Sequence, residues 1–309
     1  MNRREVIHAS FSLGLAALAP KYSSQKASPG QIFDYRGITD RGLPPQRLSI
    51  WLPPDYAHSN KRYRVLYMHD AQNLFIPAYS NFNKVWAADA AMLELAQDPN
   101  TDPWVIVGIW SPDEDRYRQY LPLPAYEAST GKLRSEMDAY ANGEIVSHLY
   151  LDWIVEQLKP WVDSSFRTKS NIMDTAIIGS SMGGLISLYA FLRHSDVFGR
   201  AGCVSTHWPA VAPQNVEDPS NEMMEIWASI IRQGIDAKNP KGRQIWFDHG
   251  TATLDASYPP YQRAIDALFE KTAWQRGSNW MSKVYPGAEH EENAWAKRLP
   301  EIFGWLLVD

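Results

Sequence analysis

A serine flanked by glycines stands where a strand-like run gives way to a helix-like run. The stretch reads Thr175-Ala-Ile-Ile-Gly179-Ser-Ser181-Met-Gly183-Gly184-Leu. A serine at such a sharp turn needs neighbours that are nearly free of side chains, because the backbone there is strained. The turn exposes the hydroxyl at a helix N-terminus, where backbone N–H groups can stabilise an oxyanion. The spacing predicts Ser181 as a nucleophile; the alternative is a tight turn whose serine does no chemistry.

A nucleophilic serine needs a general base, and histidine is the usual one. Of the eight histidines, only His290 lies on the loop after the last predicted strand, where the base is expected. His69, His207 and His249 each follow a strand and can line the site. We predict His290 as the base; the alternative is an exposed loop histidine.

The imidazole needs a carboxylate partner, expected after a strand between the nucleophile and the base. Asp248 ends the run Gln244-Ile-Trp-Phe-Asp248, whereas Asp255 lies in the following loop. A loop acid can reach the imidazole, whereas one still on a strand is held by the sheet. Asp255 is therefore the preferred acid, and Asp248 stays open as the alternative.

An oxyanion site needs two N–H donors. The backbone of Met182, directly after the nucleophile, is the expected first donor. The second should come from a loop after an early strand, and Gln72 in the segment Tyr67–Phe75 fits that place. In the alternative interpretation, His69 and Asp70 only fasten this loop by hydrogen bonds, and both interpretations can hold together.

Aromatic residues after two of the strands are candidates for substrate contact. Trp208 and His207 follow the run that ends near Ser205, and Trp110 follows Ile109. Aromatic faces there could stack on a sugar or an aromatic acyl group. The alternative for any one tryptophan is packing in the core.

Short apolar runs alternate with segments of helical period from about Gln31 onward. The strand-like runs are 47–52, 64–68, 104–109, 176–179, 202–205, 243–247 and 283–285. Ile145, Leu149 and Leu158 share one helical face, and Pro160 should end that helix; a last helix is predicted over 292–307. This order predicts a single α/β domain over residues 31–309, with a mostly parallel sheet covered by helices on both faces. The segments 111–143 and 207–221 are predicted to be long loops near the site.

Composition excludes several classes of function. The chain has 309 residues, 45% of them hydrophobic, and a formal net charge of −5, which gives no electrostatic reason to expect nucleic acid or an anionic membrane as partner. The single cysteine, Cys203, excludes an intrachain disulfide and any multi-cysteine metal site. No His-Glu-x-x-His motif and no glycine-rich nucleotide loop is present, so neither a metal nor a cofactor is expected. The oligomeric state is left open.

The first thirty residues differ from the rest. Arg3-Arg4 is followed by a small, apolar run from Ala9 to Ala19 that is too short to span a bilayer. This order is typical of a secretory signal peptide, with some likeness to the twin-arginine type. We expect residues 1–30 to direct export and the mature protein to work in the periplasm or outside the cell; the alternative is a disordered or amphipathic segment.

Several motifs together resemble the "Putative esterase" family of the α/β-hydrolase fold, which includes feruloyl and acetyl esterases of carbohydrates, siderophore esterases, S-formylglutathione hydrolase and mycolyltransferases. The matching pieces are His69-Asp-Ala-Gln-Asn-Leu-Phe75, Val107-Gly-Ile109, Arg116 to Pro122, Gly179 to Leu185, His194 to Gly199, Gly250-Thr251 with Asp255, and Gly287 to His290 with Trp295. They span most of the chain after residue 30.

The resemblance implies roles for two of these residues. In the family, the aspartate after the Gly-Thr pair is the usual acid, which supports Asp255. In the early loop, the residue two positions after the aspartate that corresponds to Asp70 donates to the oxyanion, which supports Gln72. Three residues separate Thr251 from Asp255 where many members have fewer, and this keeps Asp248 open.

The resemblance also implies the reaction class: a serine esterase acting on small or carbohydrate-borne acyl esters through an acyl-enzyme. Rival hypotheses within the family are a siderophore-lactone esterase and an acyltransferase. A rival of another class is a non-catalytic carbohydrate-binding module on a hydrolase fold; the presence of all three catalytic side chains counts against it.

Overall fold

The computed structural model describes residues 29–38, 43–213, 221–235 and 242–308. The predicted export segment, 1–30, lies almost wholly outside these residues and stays a prediction. Among the described residues, no helix combines the length and the apolar character that a bilayer crossing requires.

One sheet of eight strands organises the described chain, in the order β1-β2-β4-β3-β5-β6-β7-β8. The strands are β1 Gln31–Ile38, β2 Gln46–Leu52, β3 Val65–His69, β4 Val105–Ile109, β5 Thr175–Ser180, β6 Arg200–Val204, β7 Gln244–His249 and β8 Trp280–Val284. The two pairings of β2, with β1 and β4, are antiparallel. All other pairs are parallel. The prediction of a mostly parallel sheet is therefore confirmed.

The strand predictions failed at the two edges of the sheet. Strand β1 was not predicted, because Asp34, Arg36 and Gly37 interrupt its apolar pattern; its burial is irregular, as suits an antiparallel edge strand. Strand β8 begins at Trp280, three residues before the predicted start at Lys283. Its partly exposed residues Met281 to Lys283 do not form the apolar run expected of a buried strand.

Ten α-helices are described. They are α1 Ala88–Leu95, α2 Arg116–Tyr120, α3 Leu123–Ala128, α4 Gly131–Ala141, α5 Ser147–Trp153, α6 Lys159–Ser165, α7 Met182–Arg193, α8 Asn221–Ile235, α9 Pro259–Phe269 and α10 Glu292–Leu306. The helix after the glycine pair and the last helix thus agree with prediction.

Two predictions about local structure are wrong. The helix expected to stop at Pro160 continues to Ser165, because a π-helical turn over Ile154–Leu158 joins α5 to α6 and places Pro160 in the first turn of α6. The segment 111–143 is not a long loop but contains α2, α3 and α4. Of the predicted loop 207–221, residues 214–220 lie outside the described part.

The core lies on both faces of the sheet. Ile177 of β5 belongs to one buried cluster, whereas its neighbours Ala176 and Ile178 belong to the other. This division follows from the alternation of side chains along a strand. Helices α5, α7, α8 and α9 supply the first cluster, and α1 and α10 supply the second. Because both faces are covered, the central strands are buried throughout.

Gly179 lets β5 turn sharply into α7. A Cβ atom added there would lie 2.6 Å from the backbone oxygen of Gly183, which cannot move without shifting the helix start. We predict that Gly179→Ala lowers the free energy of unfolding by about 1–3 kcal/mol, as overpacking does. The matched control is Gly304→Ala inside α10, where an added Cβ meets no atom within 4 Å. This variant should raise the free energy of unfolding by about 0.5–1 kcal/mol. Urea denaturation of both variants checks this; an equal loss in the two would contradict it.

Candidate active site

Ser181 occupies the sharp turn between β5 and α7. Its backbone angles are φ 57° and ψ −122°, a conformation that residues other than glycine rarely adopt. Hydrogen bonds hold it there: its N–H donates to Val204 O at 3.0 Å, and its carbonyl accepts from the N–H groups of Gly184 at 3.0 Å and His207 at 3.2 Å. A strained residue costs about 1–3 kcal/mol, so the surrounding structure must fix it. The turn predicted from the glycine spacing is present.

His290 and Asp255 meet beside this turn, although 35 residues separate them. His290 Nδ1 lies 2.6 Å from Asp255 Oδ1. The other carboxylate oxygen accepts from Ser205 Oγ at 2.6 Å and from the backbone N–H of Gly250 at 2.5 Å. Asp255 is fully buried. Burial alone would raise the pKa of its carboxyl, but the bonds from His290, Ser205 and Gly250 outweigh that effect and lower the pKa below its ordinary value.

Asp248, the alternative acid, has other partners. It forms a fully buried ion pair with Arg298 at 2.7 Å and accepts from Trp246 Nε1 at 2.7 Å. The backbone N–H of Ser205 also donates to it, at 3.1 Å. Burial raises the pKa of the Asp248 carboxyl despite the nearby Arg298 charge. The structure therefore places Asp255, not Asp248, against His290.

Ser205 connects the two acids. Its hydroxyl donates to Asp255 and accepts from Arg298 Nη2 at 2.7 Å and Trp295 Nε1 at 3.0 Å. One donor and two acceptor positions are all that a hydroxyl has. The orientation of the Ser205 proton toward Asp255 is therefore fixed by its other partners.

The early loop that carries Gln72 is held by an ion pair. Asp70, in a left-handed conformation with φ 57°, accepts two bonds from Arg116, each 2.8 Å long. Burial opposes the ionisation of Asp70, but Arg116 more than compensates and lowers its pKa. The side chain of Gln72 bonds to Ser111 Oγ at 2.7 Å and accepts from the Ser111 N–H at 3.3 Å. These two bonds hold the Gln72 side chain against Ser111 and fix the loop from which its backbone N–H can serve an oxyanion.

This loop lies against the first turn of α7. A Cβ built on Gly183 would come within 3.4 Å of Asp70 Oδ2 and 3.6 Å of His69 Cβ. Met182 is the first residue of α7, and N–H groups in the first turn of a helix have no partner within that helix. The backbones predicted to hold an oxyanion therefore belong to adjoining segments. His69 lies behind the loop, with Nδ1 2.9 Å from the Tyr150 hydroxyl, and burial lowers its pKa to about 4.

His207 adjoins the nucleophile, as its position after β6 suggested. Besides the bond from its N–H to Ser181, its ring Nδ1 lies 2.7 Å from the Tyr258 hydroxyl. Burial lowers the pKa of His207 to about 3, so the ring is neutral at ordinary pH. The Tyr258 ring also packs edge-to-face against His290, with 5.7 Å between ring centroids.

The structure contradicts one of the two tryptophan predictions and does not test the other. Trp208 is wholly buried, and its indole N–H donates to Gln262 Oε1 at 3.0 Å. The prediction that its ring faces a substrate is wrong, because no part of the side chain reaches solvent. The Arg47 guanidinium lies 3.3 Å from the centroid of the Trp110 ring, whose N–H donates to Ser49 Oγ at 2.8 Å. Trp110 thus packs on β2 residues but is partly exposed, and its contact with a substrate stays a prediction.

Sequence reasoning missed Ser205, Tyr258, Arg298 and Arg116. Arg116 and Ser205 stood at the edges of quoted motifs, whereas Tyr258 and Arg298 belong to no pattern of spacing. Their partners are remote in the chain: 93 residues separate Ser205 from Arg298. Among the described residues, no group of three or more His, Cys, Asp or Glu side chains is arranged to hold a metal ion. That no cofactor is needed stays a prediction.

Comparison with known proteins identifies the family. Residues 45–306 match the family described as "Putative esterase". The match covers most of the chain, so the protein belongs to this family. A curated relative, described as "Uncharacterized protein YbbA" of Bacillus subtilis, is 26% identical over 172 residues, or 55% of this chain. The matched part spans 61% of the length of that relative.

Solved structures show the same fold. An IroE-like serine hydrolase from Shewanella oneidensis superposes with a TM-score of 0.62 at 18% identity, covering 88% of this chain and 80% of that one. A feruloyl esterase module from Clostridium thermocellum, solved with sinapinate, gives a TM-score of 0.60 at 16% identity, covering 94% and 93%. The fold is therefore that of the α/β-hydrolase esterases.

Proposed function

We propose that this member of the "Putative esterase" family is a serine carboxylesterase that works through an acyl-enzyme, with Ser181 as nucleophile, His290 as general base and Asp255 as its carboxylate partner. The observation that carries the proposal is the 2.6 Å contact between Asp255 and the His290 Nδ1 atom beside a strained serine. A buried carboxylate bonded to Nδ1 leaves Nε2 as the nitrogen that can take a proton.

The reaction would have two steps. Ser181 Oγ attacks the ester carbonyl carbon while His290 takes its proton, and the same proton then passes to the departing alcohol. Water attacks the acyl-enzyme in the second step, His290 again acting as base. The imidazolium formed in each step is stabilised by Asp255, whose lowered pKa keeps it ionised.

The backbone N–H groups of Met182 and Gln72 would stabilise the oxyanion. Both belong to segments with fixed geometry, the first turn of α7 and the loop held by Asp70 and Arg116. Donors fixed before the reaction need no reorganisation as charge develops, and one such donor typically contributes about 10²–10³ in turnover.

The substrates that we propose are small or carbohydrate-borne acyl esters. Phe82 offers an aromatic ring that is 87% exposed. Two residues further on, Lys84 pairs at 2.9 Å with Glu291, the neighbour of His290. An exposed ring two residues from Lys84, which contacts the histidine loop, could stack on a sugar or an aromatic acyl group. The solved feruloyl esterase module is complexed with sinapinate, an aromatic carboxylate. Export, predicted from residues 1–30, would bring the enzyme to such esters outside the cytoplasm.

Two rivals from the same family stay open, a siderophore-lactone esterase and an acyltransferase. The rival of another class is a carbohydrate-binding module without activity. The binding module is disfavoured because a strained serine and a buried carboxylate both lower the stability of the fold, and a protein without catalytic activity gains nothing from them.

The direct test is hydrolysis of a panel of short-chain nitrophenyl esters by the purified protein and by Ser181→Ala. We expect hydrolysis by the wild type and loss of at least about 10³-fold in kcat for the variant, as removal of a triad member produces. Circular dichroism should show that the variant is folded. Equal rates for the two proteins would contradict the proposal, and retained sugar binding without hydrolysis would favour the binding module.

The two buried acids form a matched pair for testing roles. We predict that Asp255→Asn lowers kcat by about 10⁴, since the amide presents the wrong partner to the His290 Nδ1–H. Asp248→Asn should instead lower the free energy of unfolding by about 3–5 kcal/mol, because it leaves the Arg298 charge buried without its partner. Ester turnover and urea denaturation of both variants check this. The opposite ranking of the two variants in turnover would reverse the assignment of the acid.

A further inference from the structure

The Ser205 hydroxyl lies between the proposed catalytic acid and a buried arginine. It donates to Asp255 Oδ2 at 2.6 Å. It accepts from Arg298 Nη2 at 2.7 Å and from Trp295 Nε1 at 3.0 Å, and both of these nitrogen atoms can only donate. All four side chains are buried. The one proton of the hydroxyl is therefore left for Asp255.

This bond helps to decide where a proton on Asp255 can lie. Its Oδ2 atom accepts from the Ser205 hydroxyl and from the Gly250 N–H at 2.5 Å, so both lone pairs of Oδ2 are used. A proton taken up by Asp255 would have to lie on Oδ1, which is 2.6 Å from His290 Nδ1. Oδ1 would then donate to Nδ1, and the single proton of a neutral imidazole would lie on Nε2. An imidazole in that tautomer cannot take a proton from Ser181.

Two opposing effects act on the charge of Asp255. Burial favours its protonated form, because an ionised carboxyl is costly away from water. The hydrogen bonds from His290, Ser205 and Gly250 outweigh burial and lower the pKa of the carboxyl. Apart from the base itself, Ser205 is the side chain among these three donors. The correct tautomer of His290 therefore depends on the Ser205 hydroxyl.

The other titratable groups around Asp255 keep their charge near neutral pH. They follow β6, end β7, precede α9 and lie in α10: His207, Asp248, Tyr258 and Arg298. Burial lowers the pKa of His207 to about 3 and raises the pKa of Tyr258, so both are neutral. Asp248 stays paired with the permanent charge of Arg298 at 2.7 Å. Proton uptake is thus left to His290 and Asp255.

Arg298 is fixed in the position from which it orients Ser205. One nitrogen, Nη2, donates both to the Ser205 hydroxyl and to Asp248 Oδ1, each at 2.7 Å. Asp248 Oδ1 also accepts from the backbone N–H of Ser205, at 3.1 Å. An arginine in a protein does not lose its charge and has no acceptor atom. It therefore cannot draw the Ser205 proton away from Asp255.

We propose, on the basis of the proposed acyl-enzyme mechanism, that Ser205 and Arg298 are positioning residues that fix the tautomer of His290. Arg298 orients the Ser205 hydroxyl, and this hydroxyl keeps Asp255 ionised as the acceptor of the Nδ1 proton. His290 Nε2 then keeps the lone pair that a general base needs.

Two substitutions of Ser205 remove the hydroxyl but differ in backbone strain. Ser205 has φ 41°, which glycine adopts freely and alanine does not. For the full-length protein and nitrophenyl acetate, we expect kcat to fall about tenfold in both Ser205→Ala and Ser205→Gly, with KM unchanged. One hydrogen bond to a charged group accounts for such a loss. Ser205→Gly should have the higher urea midpoint. Wild-type kcat in this variant would overturn the proposal, since activity would then follow stability.

The pH profile distinguishes a changed charge from a general loss of structure. Without the Ser205 bond, Asp255 and His290 together take up a proton, and lose activity, at higher pH. The acid limb of the kcat profile should move up by about 0.5–1 pH unit in both variants. An unmoved acid limb would overturn the proposal. Ser147→Ala is the matched control and should keep the wild-type profile, since Ser147 is also fully buried and its hydroxyl accepts from the Leu123 N–H at 2.9 Å.

Arg298 is tested in the Asp248→Asn background, where Arg298→Met leaves no buried charge without a partner. There we expect Arg298→Met to lower kcat about fivefold further, the effect of one hydrogen bond. In a protein that also carries Ser205→Ala, Arg298→Met should have no effect, because the two residues act in series. Equal losses with and without the Ser205 hydroxyl would overturn the role of Arg298.

Nuclear magnetic resonance of protein with ¹⁵N-labelled histidine reads the tautomer without turnover. The His290 signals are assigned by their loss in His290→Ala. The wild type should carry the proton on Nδ1, and in Ser205→Ala a population with the proton on Nε2 should appear. An unchanged tautomer would overturn the proposal. Esterase activity that persists in Ser181→Ala would instead refute the proposed function, whatever the tautomer.

Discussion

A buried carboxylate, Asp255, sets the requirement that the rest of the site meets. An ionised acid without solvent is costly unless hydrogen-bond donors surround it. Here His290, Ser205 and Gly250 supply three donors within 2.6 Å. Each comes from a different segment: the loop after β8, the end of β6 and the end of β7. The carboxylate therefore ties the carboxyl ends of three parallel strands together, and the histidine is oriented as a consequence.

The second constraint is the strained turn at Ser181, and the sheet supplies what holds it. Strand β5 lies between β3 and β6 in the middle of the sheet, and its residues are buried throughout. The neighbouring strand ends at Val204 and is followed by His207, and both residues bond to the backbone of Ser181. The same connection carries Ser205, so one stretch of backbone positions both the nucleophile and the acid. Small movements of β6 would disturb both groups together.

A feature of the site could be predicted from the sequence when neighbouring residues determine it, and could not when contacts remote in the chain determine it. The turn at Ser181 is encoded within five residues, of which Gly179 leaves no room for a Cβ atom, and it was found from spacing alone. His290 followed from its place after the last strand. Asp255 could be preferred over Asp248 but not settled, because Asp248 lies near the end of β7, Asp255 lies in the loop after it, and only their long-range contacts with Arg298 and His290 separate them. Ser205, Tyr258 and Arg298 acquire their positions from contacts 50 or more residues away. Trp208 was misjudged because its place after a strand says nothing about the direction of its ring, which points into the core.

Covalent labelling shows whether the His290–Asp255 pair activates Ser181. The protein would be treated with a nitrophenyl phosphonate, an ester analogue that phosphonylates activated serines, and then analysed by intact mass and peptide mapping. We expect one adduct per chain, on Ser181, formed at a rate that falls by orders of magnitude in His290→Ala. An adduct on another residue, or labelling of Ser181 that is equally fast without His290, would contradict it.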